Sequence, residues 1–334
     1  MKYQPPYSIT SKIIHLIAQI SENIGRLTVL EEIQDGLKLR KANRIRTIQG
    51  SLAIEGNTLS TEQITAILNG KTVIAPPKEV QEVRNAIKAY EAFQQWQPSQ
   101  ESDLLQAHQI LMTGLIDEVG QYRHGGVGVM SGDRVVHMAP PANQINRLMV
   151  DLLDWLNDSE VHPLIQSSVF HYEFEFIHPF ADGNGRMGRL WQTLILSRWN
   201  PIFANIPVES LIYQNQKAYY EALQASTDRT DSAPFIEFIL QMILDAILSS
   251  TDTAQDSGHV TDQVNVQVSD QVQRLLSAMK QEDYTLAELM QLVGLTHRAT
   301  FQKNYLNPAI EAGLIKRTIP DKPKSPKQRY RLKR

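Results

Sequence analysis

Between His178 and Arg189 the chain reads HPFADGNGRMGR, which places one imidazole, one carboxylate, two guanidinium groups and three glycines in twelve positions. A turn needs Gly and Asn, but not the other groups. The DGNG stretch exposes backbone N–H groups, and RMGRLWQTLILS after it is apolar at helical spacing, so the loop empties onto a helix N-terminus. Free N–H groups and the helix dipole favour an anion there. Arg186 and Arg189 are three residues apart, share one face of that helix and can chelate phosphates. Asp182 is suited to holding Mg²⁺ against phosphate oxygens. His178, as a neutral imidazole, can take a proton from an incoming hydroxyl. Together these groups suit phosphoryl or nucleotidyl transfer.

His178, Phe180, Asp182, Gly183, Asn184, Gly185, Arg186 and Arg189 fill every fixed position of HxFx(D/E)GNGRxxR, so the chain resembles Fic proteins. The resemblance implies a protein adenylyltransferase. His178 would activate a Tyr, Ser or Thr hydroxyl on a target protein, with the chain itself among the candidate targets. Asp182 would bind Mg²⁺, and Gly183, Asn184, Gly185, Arg186, Met187, Gly188 and Arg189 would hold ATP. AMP is then transferred and pyrophosphate leaves. The retained His178 and Asp182 favour this over the related Doc-type kinases, which depart at the glycine positions. By the same resemblance, LIYQNQKAYYEAL supplies Asn215, Tyr219 and Tyr220 toward base and ribose, although both tyrosines also fit a core. Residues 123–141 occupy the place of the family's flap, which pairs with the target backbone by strand addition, with Val129 and Met130 toward the nucleotide.

SLAIEGN, Ser51 to Asn57, matches the family's inhibitory pattern Ser/Thr-xxx-Glu-Gly/Asn and lies upstream of the core motif, as in the class with an N-terminal inhibitory helix. Glu55 would pair with Arg189 and occupy the place of the γ-phosphate, so that the enzyme is autoinhibited. Other assignments of the same residues stay open. Glu55 positioning a water would make the chain an AMP-removing, metal-dependent phosphodiester hydrolase, and a vestigial Fic domain would leave a DNA-binding regulator. His171, Glu175 and His178 fall at i, i+4 and i+7, where one helix face could present metal ligands. Phe170, Phe174 and Phe176 make that helix a core element instead, with His171 hydrogen-bonded inside it. An EF-hand fails because Arg186 stands at the third ligand position.

Positioning these groups calls for a mainly helical chain. Apolar residues recur at three and four over most of residues 8–250, as at Ile13, Ile17, Ile20, Ile24 and Leu27, and at Val80, Val83, Ile87 and Tyr90. Ser60 with Gln63 forms a capping-box start, and Ser102 is expected to cap the helix DLLQAHQILM. Residues 123–141, with β-branched residues on both sides of Ser-Gly-Asp and a Pro-Pro stop, read as a β-hairpin. The expected organisation is a Fic-type helical bundle with a hairpin flap. An N-terminal helical region, 1–99, carries the inhibitory motif, followed by the catalytic domain, 100–250, and a linker, 251–262. A small domain, 263–334, is the last unit. In it Thr285 and Glu288 open a short helix, Gly294 turns the chain, Thr296 caps a second helix, and two strands flank a basic loop, as in a winged helix-turn-helix.

The total charge of −3 conceals an asymmetry. Residues 295–334 hold eleven Lys and Arg against two acids, a net of +9, which leaves −12 on the rest. This makes residues 263–334 a candidate DNA-binding unit. The absence of cysteine excludes disulfides, thiolate nucleophiles and Cys-ligated zinc. The N-terminal MKYQPPYSIT lacks the pattern of a signal peptide, and no uncharged apolar run approaches the roughly 18 residues of a membrane span. The expectation is therefore a cytoplasmic protein without a membrane partner, with a homodimer left open.

Overall fold

The computed structural model describes residues 2–33, 36–126, 128–131, 134–257, 272, 275–276, 278–279, 282–294, 298–311, 314–318 and 328–332. The chain divides into two compact units, Met1–Gly258 and His259–Arg334.

In the first unit, α1 (Ser11–Ile33) and α2 (Gly36–Ile54) are followed by α3 (Thr61–Leu68), α4 (Pro77–Ala92) and α5 (Glu101–Met112). Strands β1 (Gly128–Ser131) and β2 (Arg134–Met138) precede α6 (Ile145–Asp158), α7 (Pro163–Ile177) and α8 (Asn184–Trp199). Then come α9 (Val208–Gln214), α10 (Gln216–Arg229) and α11 (Ala233–Ser257). The predominantly helical fold expected from the 3.6-residue periodicity is the one observed.

Helices α7 and α8 pack on each other at the centre of the bundle. On α8, Met187, Leu190, Trp191 and Leu194 are fully buried, as are Val169, Phe170 and Phe174 on α7. A helix covered on every face cannot show the one-sided pattern of a surface helix. Around this pair, α1 lies along α11 and α2 along α9. The α2–α9 approach is close enough that a Cβ on Gly50 would stand 2.6 Å from the main-chain N of Ser210. Ser210 Oγ also donates to the main-chain oxygen of Arg46 at 2.9 Å. The N-terminal segment is tied down where the Tyr3 hydroxyl donates to Glu173 Oε2 on α7 at 2.7 Å.

Local signals set several boundaries. The Ser60–Gln63 capping box forms in both directions at α3. Ser102, however, is not a cap: α5 begins one residue before it, after Gln100, because Asp103 reaches back to accept from the Gln97 N–H at 2.7 Å and the chain enters the helix earlier. The hairpin is antiparallel with Gly128 opposite Met138, and its register shifts between Val129 and Met130. Helix α11 runs through Ser257, seven residues into the stretch expected as linker, and residues 258–262 lie outside the described residues. Within α11, Ala233–Thr251 is apolar and long enough to cross a membrane by length and composition, although Glu237 and Asp245 interrupt it, so it is not an uncharged run; 61% of it is buried inside the fold. Its apolarity is that of a core helix packed on α1, α7, α9 and α10.

In the second unit, α12 (Leu286–Leu292) starts with the Thr285–Glu288 capping box, and Gly294 turns the chain at φ +72°. Next comes α13 (Arg298–Phe301), a π turn (Gln302–Leu306) and α14 (Asn307–Glu311), then β3 (Ile315–Arg317) paired antiparallel with β4 (Tyr330–Leu332). Leu289, Phe301, Leu306 and Ile315 are among its buried core residues. Thr296 and the basic loop at 319–327 lie outside the described residues.

Two stability outcomes follow from this packing. Gly50→Ala should force α2 off α9 and lower unfolding stability by about 1–3 kcal/mol, the usual cost of overpacking, read from urea denaturation; unchanged stability would mean that the two helices separate freely. Burial pushes the Glu173 carboxyl up to about 7, with the Tyr3 hydroxyl pulling it back down. The folded chain thus keeps a proton that the unfolded chain releases near the ordinary glutamate value. Its contribution is fully present below that value and is lost as pH rises through about 7. Glu173→Gln should therefore flatten the fall of the urea midpoint on going from acid to neutral pH, and an unaltered slope would contradict the assignment.

Candidate functional site

The site is built at the junction of α7 and α8. Helix α7 ends at His178, which adopts the left-handed conformation (φ 52°, ψ 60°). Such a backbone costs a non-glycine residue roughly 1–2 kcal/mol and needs support. Arg123 supplies it. Its Nε donates to the His178 carbonyl at 2.7 Å, its Nη1 to the Gly125 carbonyl at 2.6 Å, and its Nη2 to the Pro140 carbonyl at 2.7 Å. Its main-chain N–H donates to the Pro179 carbonyl at 2.9 Å. One buried guanidinium thus joins the turn after α7 to both roots of the hairpin.

The loop itself is closed by Asn184, whose amide makes two bonds to the main chain of Phe180, each 2.9 Å long. Gly183 has φ +86°, and a Cβ there would come 2.7 Å from the Met112 sulfur. His108 on α5 stacks on Phe180 with ring centroids 3.7 Å apart. Its Nδ1 accepts from the Gly120 N–H at 2.9 Å, so Nε2 carries the proton and donates to the Asp182 carbonyl at 3.0 Å. Burial pushes this imidazole down to about 4, which keeps it neutral. Asp182 points its half-exposed carboxylate outward, with Oδ1 accepting from Gly183 N–H at 2.6 Å and lying 3.2 Å from Arg186 Nη2.

No side chain caps the N-terminus of α8. What lies against it is Glu55, whose Oε1 would be 2.5 Å from a Cβ on Gly185. The same oxygen accepts from Arg189 Nη2 at 2.6 Å. Arg189 is 1% exposed at its side chain, and its other bonds go to Ser51, from Nε to Oγ at 3.3 Å and from Nη2 to the carbonyl at 3.0 Å. Burial opposes the charge on Arg189, but Glu55, together with Tyr219 and Glu175, more than offsets it and holds the guanidinium above its ordinary value. A carboxylate therefore sits where a helix N-terminus and a buried guanidinium converge.

Glu55 is delivered there by the end of α2. Gly56 is left-handed (φ +89°), its N–H donates to Ala53 and the Asn57 N–H to Leu52, the Schellman pattern. Glu55 thus stands just past the helix, not within it. Asn57 donates to Glu82 Oε2 at 2.8 Å, and Glu82 in turn lies 3.7 Å from Arg186. Gln216 on α10 donates to the Ile54 carbonyl at 2.8 Å.

The expected residues are mostly brought together: Ser51, Glu55, His178 and Asp182 to Arg189 share one region. Tyr219 is corrected to a core residue. It is 2% exposed, and its hydroxyl lies 3.2 Å from His171 Nε2. Tyr220 and Asn215 are exposed, with Asn215 bonded to the Leu211 carbonyl. His171 is likewise internal, with Nδ1 2.6 Å from Gln192 Oε1, and burial pushes it down to about 3. Among the described residues no three His, Asp or Glu side chains converge to hold a metal. The side chains of Val129 and Met130 lie outside the described residues. Sequence reasoning missed His108, Arg123, Glu82 and Gln216. The spacing of these residues carries no signal, since each acts across the fold.

Residues 98–196 match the Fic/DOC family, and residues 270–333 match the C-terminal domain of the Fic-like proteins (filamentation induced by cAMP). The chain is 54% identical to a Fic family protein from Desulfovibrio desulfuricans G20 of known crystal structure, covering 99% of this chain and 98% of that one, with a TM-score of 0.74. It belongs to the Fic family. "Protein adenylyltransferase Fic" of Nematostella vectensis is 32% identical over 227 residues, which are 64% of this chain and 50% of that protein. "Protein adenylyltransferase fic-1" of Caenorhabditis elegans is 30% identical over 62% of this chain and 42% of that protein. The chain thus spans about half the length of the curated relatives it matches.

Arg123→Met should cost about 3 kcal/mol or more, because it strands several buried carbonyls at once. Hydrogen exchange should rise together at the hairpin roots and across residues 177–183. Arg123→Lys should recover little, since an ammonium cannot span carbonyls spread along a planar fork. Wild-type protection in both regions would show that the clamp is dispensable.

Proposed function

We propose that this chain is an ATP-dependent protein adenylyltransferase held in check by Glu55. The observation that carries this is the Glu55 carboxylate lying on Gly185 and bonded to the buried Arg189. Such a position suits any anion, and a phosphate is its natural competitor. The names of the curated relatives support adenylyl transfer as the chemistry.

In this function the α8 N-terminus, Arg186 and Arg189 bind and orient the ATP phosphates. His178 takes the proton of a protein hydroxyl as the oxygen attacks the α-phosphorus, and the bond to pyrophosphate breaks. Mg²⁺ fits Asp182: a single half-exposed carboxylate suffices for an ion that completes its shell with phosphate oxygens and water. When bound, it neutralises charge on the phosphates. His108 and Arg123 hold the loop's main chain in place, so that little reorganisation accompanies the reaction. With Glu55 on Arg189, the clamp for the terminal phosphate is occupied and ATP binds out of register.

With radiolabelled ATP as donor and the chain itself as acceptor, Glu55→Gly should raise AMP incorporation by roughly tenfold to a hundredfold, the range that loss of one charge-assisted contact allows. The gain should vanish in Glu55→Gly with Arg189→Ala, and His178→Ala should abolish incorporation. If the double variant keeps the activity of Glu55→Gly, restraint through Arg189 is wrong. If none of the active-site variants alters the label, so is the transferase.

A further inference from the structure

Glu175 is the carboxylate that the proposed reaction leaves unused. It lies on α7 one turn before His178, and its side chain is 13% exposed. Its Oε1 is buried without a hydrogen-bond partner. A buried carboxyl oxygen kept in that condition is a cost to folding. Gly188 packs against the same face: a Cβ there would come 2.8 Å from the His171 ring and 3.2 Å from Oε1. The other carboxyl oxygen of Glu175 faces the candidate base, with Oε2 3.9 Å from His178 Nδ1, and its main-chain oxygen is 3.4 Å from the same nitrogen.

We propose that Glu175 is the positioning residue of His178, its carbonyl holding the proton on Nδ1 and its carboxylate stabilising the imidazolium that forms when Nε2 accepts the target's proton. The inference rests on the base role given to His178 above. A proton leaves the hydroxyl for Nε2 while the Nδ1 proton stays in place, so Glu175 contributes charge and orientation and exchanges no proton. The titratable groups around its carboxylate are His171 on the same helix, Arg189 from α8, Glu55 from beyond α2 and Tyr219 from α10. Burial pushes the Glu175 carboxyl up to about 7, with Arg189 pulling it down and Glu55 pushing it up. Departure of Glu55 therefore favours the ionised carboxylate, and the same event that frees Arg189 strengthens the base.

Two readouts on the full chain test this, with Glu175→Gln keeping shape and removing charge. In the first, made without ATP, the His178 imidazole is titrated by nitrogen NMR and assigned through His178→Ala; its pKa should fall by about half a unit or more in Glu175→Gln and recover in part in Glu175→Asp. In the second, made in the Glu55→Gly background, Glu175→Gln should lower kcat for AMP transfer by about tenfold to a hundredfold, with KM for ATP little changed. Thermal unfolding of Glu175→Gln should be at or above that of the parent, which separates positioning from structural support. An unshifted His178 titration, or loss of activity through KM alone, overturns the proposal. A shifted titration in a chain that transfers no AMP would uphold the Glu175–His178 coupling and reject the transferase instead.

Discussion

A guanidinium cannot shed its proton, so an arginine buried as deeply as Arg189 requires a counter-charge wherever the chain can supply one. Glu55 supplies it across 134 residues of sequence. Much of the surrounding architecture is what delivering that carboxylate demands. Gly50 lets α2 press onto α9, Gly56 ends α2 in a left-handed turn, and Gln216 holds the last carbonyl of the helix. Removing one partner of such a pair without replacement leaves an uncompensated buried charge, which costs several kcal/mol. Replacing one anion by another costs far less. Such a pair resists solvent while leaving a phosphate as a competitor, which is the property the proposed restraint by Glu55 needs.

The remainder of the site is held through main-chain oxygens. His108 is neutral and bonds the Asp182 carbonyl, while Arg123 bonds the carbonyl of His178 and those at both hairpin roots. A left-handed histidine is tolerable because its carbonyl is fixed by a charge-assisted bond. Because the same arginine grips Gly125 and Pro140, the hairpin and the candidate base share one anchor, and displacement of either strand root is felt at the turn after α7.

Local chemistry was legible in the sequence. The twelve residues from His178 to Arg189 announce a tight turn that empties onto the start of a helix, because turn residues, helix N-terminus and charged side chains are contiguous there. The capping boxes at Ser60 and Thr285, the left-handed Gly294 and the hairpin at 123–141 were legible too, since each is closed by hydrogen bonds between residues a few positions apart. The helical fold was visible in periodicity, and the Glu55–Arg189 pair could be foreseen because two short motifs implied each other.

Only the tertiary structure decided what depends on residues far apart in the chain. Ser102 has the type of a cap, yet Asp103 and Gln97 start the helix sooner. Tyr219 has the type of a stacking residue, yet its ring is buried against His171 and Phe235. The apolar stretch in α11 is core because four other helices cover it. His108 and Arg123 hold the loop through contacts made across the packed bundle, and spacing along the chain carries no trace of these. Sequence determines which groups are available and which local turns they close. Packing determines which of them are buried together, and burial is what converts an ordinary arginine or glutamate into one whose charge must be answered.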